Sequence, residues 1–199
     1  MNAIYTIGHS QHDLEHFLKM LRTNEIDYVL DVRSTPYSKF ARNYDRENIQ
    51  NFLVRNNINY KYMGKYFGAR QENMDLYTQD GYLDFEKVAV SGHFQSAVEN
   101  VMKGMETNRI ALMCLEKKPI DCHRAILVAK AFYSKGCTVN HILEDCSIQT
   151  HPELNEELLD MYFPDRNQIS LFDTRTDEER LVEAYKLRNK AIGYSIAER

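Results

Sequence analysis

Apolar positions along this chain fall into two patterns, short aliphatic runs and longer stretches at helical spacing. Ala3-Ile4-Tyr5-Thr6-Ile7, Tyr28-Val29-Leu30 and Ile110-Ala111-Leu112-Met113 are runs of the first kind, with the length and β-branched character of buried strands. Between the first two, Leu14, Phe17, Leu18 and Leu21 keep the i, i+3, i+4, i+7 spacing of an amphipathic helix, and Ser10-x-x-Asp13 is its capping-box-like start. Strand, helix and strand in that order predict a right-handed parallel crossover.

The same reading carries along the chain. Asp45 is expected to cap a helix through Arg55 with Ile49, Phe52 and Leu53 inward, and 58–62 is a short strand. Residues 64–81 are polar and aromatic and read as a loop or lid. Phe94, Ala97, Val98, Val101, Met102 and Met105 mark a helix with its methionines in the core. A strand over 109–114, a helix over 122–135 stopped by Gly136, and a fifth strand over 138–143 follow. His151-Pro152 opens a helix carrying Leu154, Leu158 and Met161. The expected fold is α/β, a three-layer, mostly parallel five-stranded sheet with helices on both faces. Beyond Pro164 a turn, a brief apolar segment and a helix capped by Thr176 read as an appendage, so 1–163 is the α/β domain and 164–199 a C-terminal helical tail.

Each aliphatic run ends in a compact polar cluster: Gly8-His9-Ser10, Asp31-Val32-Arg33-Ser34, and Cys114-Leu115-Glu116 followed by Cys122-His123-Arg124. Ligands of open parallel sheets bind outside the carboxyl ends of the strands, so these clusters are expected to converge on one site. The candidate catalytic set is His9, Asp31, Arg33, Cys114, Glu116, Cys122, His123 and Arg124. A thiol at a helix start is acidified, and Arg124 beside it suits an oxyanion or phosphate. His9 offers a base that titrates near neutral pH, and Glu116 offers another. Gly8 permits a tight turn. Each group also has a plain structural reading: a packed Cys114 or Cys122, an Asp31–Arg33 salt bridge, Ser10 as an N-cap.

Charge sharpens the picture. The chain carries -4 overall, yet 33–70 holds eight basic residues against Asp45 and Glu47, a local +6 that leaves -10 elsewhere. Lys39, Arg42, Arg46, Lys61, Lys65 and Arg70 alternate there with aromatic residues including Tyr37 and Tyr44. Cations interleaved with aromatic faces suit an unstacked nucleic-acid strand; the alternative is a solvated face whose aromatics pack inward.

Four cysteines without a C-x-x-C pair read as free thiols in a reducing cytoplasm, with Cys137 and Cys146 structural. No secretory pattern opens the chain and no run reaches the ~18 apolar residues of a membrane span, so a cytoplasmic protein without a membrane partner is expected. A site drawn from His9, Cys114, Cys122 and His123 matches no standard zinc spacing. No Walker loop or G-x-G-x-x-G is present. Neither a metal nor a cofactor is therefore expected.

Thr6-Ile7-Gly8-His9-Ser10, Asp31-Val32-Arg33-Ser34-x-Pro36, Asn57-Ile58-x-Tyr60, Cys114-x-Glu116 and Cys122-His123-Arg124 together resemble the bacterial domain-of-unknown-function family 488 over 4–143. The resemblance implies an α/β fold with the motif residues at one site, and no settled activity. In the tail, Gln168-Ile169-Ser170-Leu171-Phe172 resembles the peptide by which bacterial repair and replication proteins dock on the DNA sliding clamp, with Ile169 in place of Leu. That peptide mode seats Leu171 and Phe172 in an apolar pocket while Gln168 supplies a hydrogen bond.

The leading expectation is an enzyme acting on nucleic acid in DNA repair or modification, with DNA or another phosphate-bearing ligand and the clamp as partners. In it Arg33 and Arg124 hold phosphate, Glu116 or His9 moves a proton, and Cys122 attacks. A thiol-dependent small-molecule enzyme and a non-catalytic adaptor docked through the tail peptide are the rivals.

Overall fold

The structure is a computed structural model that describes residues 3–168 and 174–198. Its sheet is built from β1 (Ala3–Gly8), β2 (Tyr28–Asp31), β3 (Asn59–Tyr62), β4 (Ile110–Cys114), β5 (Thr138–Ile142) and β6 (Ile148–Thr150). The strands lie in the order β3-β2-β4-β1-β5-β6. The first five are parallel, and β6 returns antiparallel along β5. The expected count of five strands is thereby corrected to six. The sixth has three residues and one apolar side chain, too little to leave a period in the sequence.

Around the sheet run α1 (Leu14–Thr23), α2 (Arg46–Arg55), α3 (Gly64–Phe67), α4 (Phe85–Val90), α5 (Gly92–Gly104), a π-helical stretch (Arg124–Ala129) continuing as α6 (Lys130–Ser134), α7 (His151–Tyr162) and α8 (Asp177–Ile192). Neighbouring residues of a strand point to opposite faces, and the core divides accordingly. Tyr5, Ile7, Val29, Ala111 and Met113 pack with Phe17, Leu21, Ile49 and Leu53 of α1 and α2. Ile4, Leu30, Leu112 and Cys114 face the other way, onto Val98, Ala125, Val128, Leu154 and Ala184. β4 is buried at every position, which is why its sequence is continuously apolar rather than alternating.

Local details differ from expectation in physically simple ways. Asp13, not Ser10, caps α1 by accepting from His16 N at 2.7 Å, while Ser10 makes the preceding turn with φ 45°. Asp45 occupies the N-cap position of α2, but its carboxylate accepts from Ser38 N instead. Residues 64–81 are not a loop clear of the core: Phe67 is fully buried edge-on to Phe94, and Tyr77 is buried as well. Met105 is core, Met102 is only partly buried, and Met161 is exposed. The cap predicted at Thr176 is present, and Glu179 reciprocates to complete a capping box. α8 then docks on the domain. Its Ala184 and Tyr185 are buried, and Asn189 accepts from Phe85 N and donates to Leu83 O, both at 2.8 Å. No helix among the described residues is long and apolar enough to cross a membrane.

A buried polar chain links β1, β5, α7 and α8. Thr6 Oγ1 donates to His141 Nδ1 (2.8 Å), His141 Nε2 to His151 Nδ1 (3.1 Å), and His151 Nε2 to the Tyr185 hydroxyl oxygen (3.1 Å), which donates to Asn155 Oδ1 (2.6 Å). Each ring nitrogen is used once in the neutral form, so protonation of either ring breaks the chain. Burial and the neighbouring His151 push His141 well down, and burial with Lys130 pushes His151 to about 4. Folded-state values below the unfolded value of roughly 6.5 mean that this stability is complete above it and declines as pH falls. For His151 the loss is roughly 3 kcal/mol by about pH 4. Urea midpoints are expected to drop between about pH 7 and pH 4.5, and to drop less in His151→Gln; identical pH dependence of the two proteins would contradict this assignment.

Candidate functional site

The strand order places β4 between β2 and β1, with Gly8 in register with Cys114 and Asp31 with Met113. All three polar clusters therefore meet at one end of the sheet, as the sequence predicts. A cleft of about 520 Å³ opens there. His9, Arg33, Cys114, Glu116, Cys122 and His123 line it, together with Ser34, Tyr37, Arg70, Ile192, Gly193 and Tyr194.

Two networks of different character build this site. The first is a clamp between β1 and β2. Arg33 donates to both oxygens of Asp31 (Nε to Oδ1, 2.9 Å; Nη2 to Oδ2, 2.6 Å), and Tyr60 adds a 2.7 Å hydrogen bond to Oδ2. Asp31 is fully buried and Arg33 nearly so. The remaining Nη1 of Arg33 donates to His9 Nε2 at 3.1 Å, while His9 Nδ1 donates to Ser10 O at 2.8 Å. His9 is stacked on Tyr44, ring centroids 4.1 Å apart. Burial and the Arg33 charge push its pKa down to about 3. The expectation of His9 as a base near neutral pH is corrected: both nitrogens are committed, and its work is to fix Arg33. Tyr44 is likewise removed from the expected nucleic-acid surface, because it is 2% exposed and holds His12 O through its hydroxyl.

The second network surrounds the sulfur atoms. Arg124 is fully buried, and its fork closes on Glu116 O (Nη1, 2.5 Å) and Lys117 O (Nη2, 3.1 Å). It is absent from the lining of the cleft, so the expectation that it holds substrate phosphate is corrected to a structural role. A Cβ at Gly8 would lie 2.0 Å from Glu116 O. Gly8 thus serves close approach, and the turn falls at Ser10. Cys122 is extended, just ahead of the helical stretch that starts at Arg124, and accepts at its carbonyl from Ala125 N and Ile126 N. That stretch begins as a π-helix, a form found frequently at functional sites.

Cys114 Sγ and Cys122 Sγ lie 3.8 and 3.9 Å from the same atom, His123 Nδ1, and His123 Nε2 donates to Val32 O at 3.1 Å. Burial acts to raise the Cys122 thiol, but the hydrogen bond from Cys114, the Arg124 charge and His123 outweigh it and hold Cys122 well below the usual thiol range. That same hydrogen bond, with burial, holds Cys114 well above it. Burial raises Glu116 at the rim, and the neighbouring Cys122 adds to the effect.

Ile192, Gly193 and Tyr194 left no signal in the sequence as site residues. They arrive because α8 docks across the sheet end, where Arg188 reaches Ile120 O at 2.9 Å and pairs with Asp121. Arg70 then stacks over the Tyr194 ring, 4.4 Å from its centroid. Of the tail peptide, Gln168 is described and bonds to Asp165; Ile169, Ser170, Leu171 and Phe172 lie outside the described residues.

The clamp yields a direct test. Asp31→Asn leaves the buried Arg33 guanidinium without its counter-charge and is expected to destabilise the fold by roughly 3–5 kcal/mol. Denaturant unfolding measures this, and a change below ~1 kcal/mol would contradict the clamp.

A family model described as Domain of unknown function DUF488 matches residues 13–131, and no curated protein or solved structure matches the chain. The matched span is shorter than the resemblance over 4–143. It includes the Asp31, Cys114-x-Glu116 and Cys122-His123-Arg124 motifs and begins after His9. With more than half of its length matched, and with an α/β fold that gathers those motifs at one sheet end, the chain belongs to the DUF488 family.

Proposed function

We propose that this protein is an enzyme acting on a nucleic-acid strand, with Cys114, Cys122, His123 and Glu116 at the reacting end of the cleft. The observation that carries this reading is that the cleft continues. A second groove of about 520 Å³ shares Ser34 and Arg70 with the first and runs on past Tyr62, Lys65 and Tyr66. A small metabolite needs one pocket, whereas a strand needs a track leading to it.

Tyr37, Lys65, Tyr66 and Arg70 line the track, while Lys39, Phe40, Arg42 and Lys61 lie outside its lining. Among the described residues no carboxylate lies within ion-pair distance of Lys39, Arg42, Lys61, Lys65 or Arg70. Their charge is available to phosphates. Tyr37, Phe40 and Tyr66 are exposed beside them, at 53%, 89% and 39%, and bases stack on such faces. Arg46 lies over the Tyr62 ring and Arg70 over the Tyr194 ring, contacts that leave both charges unneutralised. Arg33 lines the cleft but is neutralised by Asp31, so it orients rather than attracts. DNA is favoured as the strand by the resemblance of Gln168–Phe172 to a clamp-docking peptide, which also nominates the sliding clamp as a partner.

Binding of labelled single- and double-stranded oligonucleotides across a salt series tests this. Affinity is expected to fall as salt rises, and Lys65→Ala and Arg70→Ala should each weaken binding and reduce the log–log slope by about 0.7–1. If neither strand form binds at low salt, the nucleic-acid reading is wrong.

A further inference from the structure

We propose that Cys114, Cys122 and His123 hold a divalent, thiophilic metal ion such as zinc, with its fourth coordination position open to the cleft. The three donor atoms lie within 4.8 Å of one another and all three residues are buried. The assignment rests on the strand-end cleft being the reaction site, and not on nucleic acid being the substrate.

The geometry suits a shared ion. His123 Nε2 carries its proton to Val32 O, which leaves one lone pair on Nδ1. Both sulfurs stand almost equidistant from that lone pair, at 3.8 and 3.9 Å, as two ligands sharing one ion with the nitrogen would. A tetrahedral centre with metal–sulfur and metal–nitrogen bonds of ~2.3 and ~2.0 Å sets sulfur and nitrogen roughly 3.5 Å apart. Closing the remaining few tenths of an ångström needs only small side-chain rotations. The Nε2–H to backbone carbonyl contact is the usual outer partner of a ligating histidine. Two thiolates balance a divalent cation, and sulfur with imidazole selects zinc over magnesium or calcium.

Among the described residues no other His, Cys, Asp or Glu donor joins this group. His9, the fourth candidate that the sequence suggests, is excluded because Arg33 and Ser10 O occupy its nitrogens. Three protein ligands lining a cleft are the pattern of a catalytic rather than a structural centre. An ion so placed supplies a Lewis acid and a bound water that ionises near neutral pH. Glu116, two residues beyond Cys114, faces the same cleft as a proton acceptor. Sequence spacing concealed the site because its ligands come from a strand end and the approach to a helix, not from a C-x-x-C knuckle.

The test uses the full chain purified under reducing conditions without chelator. About one zinc per chain is expected by elemental analysis. After chelation, added Co²⁺ should give tetrahedral ligand-field bands and a thiolate-to-metal charge-transfer band. Cys114→Ser, Cys122→Ser and His123→Ala should lose these signals, and Cys146→Ser should keep them. If the ligand variants fail to fold, the wild-type chain still decides. Zn²⁺ should protect Cys114 and Cys122 from alkylation, read by peptide mass, while Cys146 reacts equally with and without it. The proposal is overturned if the reduced chain neither contains nor takes up stoichiometric metal, if Zn²⁺ protects neither thiol, or if Cys114 and Cys122 are joined as a disulfide in the purified protein. Lack of metal with salt-sensitive oligonucleotide binding intact removes this proposal alone, and metal without oligonucleotide binding removes the substrate reading alone.

Discussion

The chain between β4 and the following helix must double back within a few residues if Cys122 and His123 are to stand over Cys114, and the buried guanidinium of Arg124 holds it there. Its two terminal nitrogens take the carbonyl oxygens of Glu116 and Lys117. The same carbonyl of Glu116 sits where a side chain at residue 8 would be, so only glycine lets β1 approach it. Position, partner and neighbour are thus fixed by one contact. The sulfur cluster inherits its geometry from it.

On the other side of β4, the Asp31–Arg33–His9–Tyr60 network does comparable work with opposite means. It is a charge pair completed by an imidazole and a phenol, and nearly every polar atom is used within the protein. A network so fully committed is rigid and chemically quiet. The thiols and His123, by contrast, are joined by long sulfur contacts of 3.8 and 3.9 Å and line the cleft. The division of labour follows: one network shapes the cleft, and the other carries reactive groups into it.

Much of this was legible in the sequence because it depends on local order. Strands ending in polar clusters, a helix between the first two and the parallel crossover were enough to place Gly8-His9, Asp31-x-Arg33 and Cys114-x-Glu116 at one sheet end. What each residue does there was less legible, since roles depend on partners distant in sequence. His9 looks titratable until Arg33, 24 residues away, takes its lone pair. Arg124 looks like an anion hook until its terminal nitrogens turn to Glu116 O and Lys117 O and its side chain is fully buried away from the cleft. Tyr194 enters the cleft only through the docking of α8, and β6 is too short to show a period. The set His9, Cys114, Cys122 and His123 matches no zinc spacing because spacing reports sequence distance and is silent about a fold that brings a strand end against a helix start.

The central claim is that two cysteines and one histidine converge on a single acceptor in an open cleft. Zinc K-edge X-ray absorption on the zinc-loaded chain tests it most directly. Two sulfur scatterers near ~2.3 Å and two nitrogen or oxygen scatterers near ~2.0–2.1 Å are expected, the latter being His123 and a non-protein ligand. A shell of oxygen and nitrogen alone, or four sulfurs shared between chains, would contradict it.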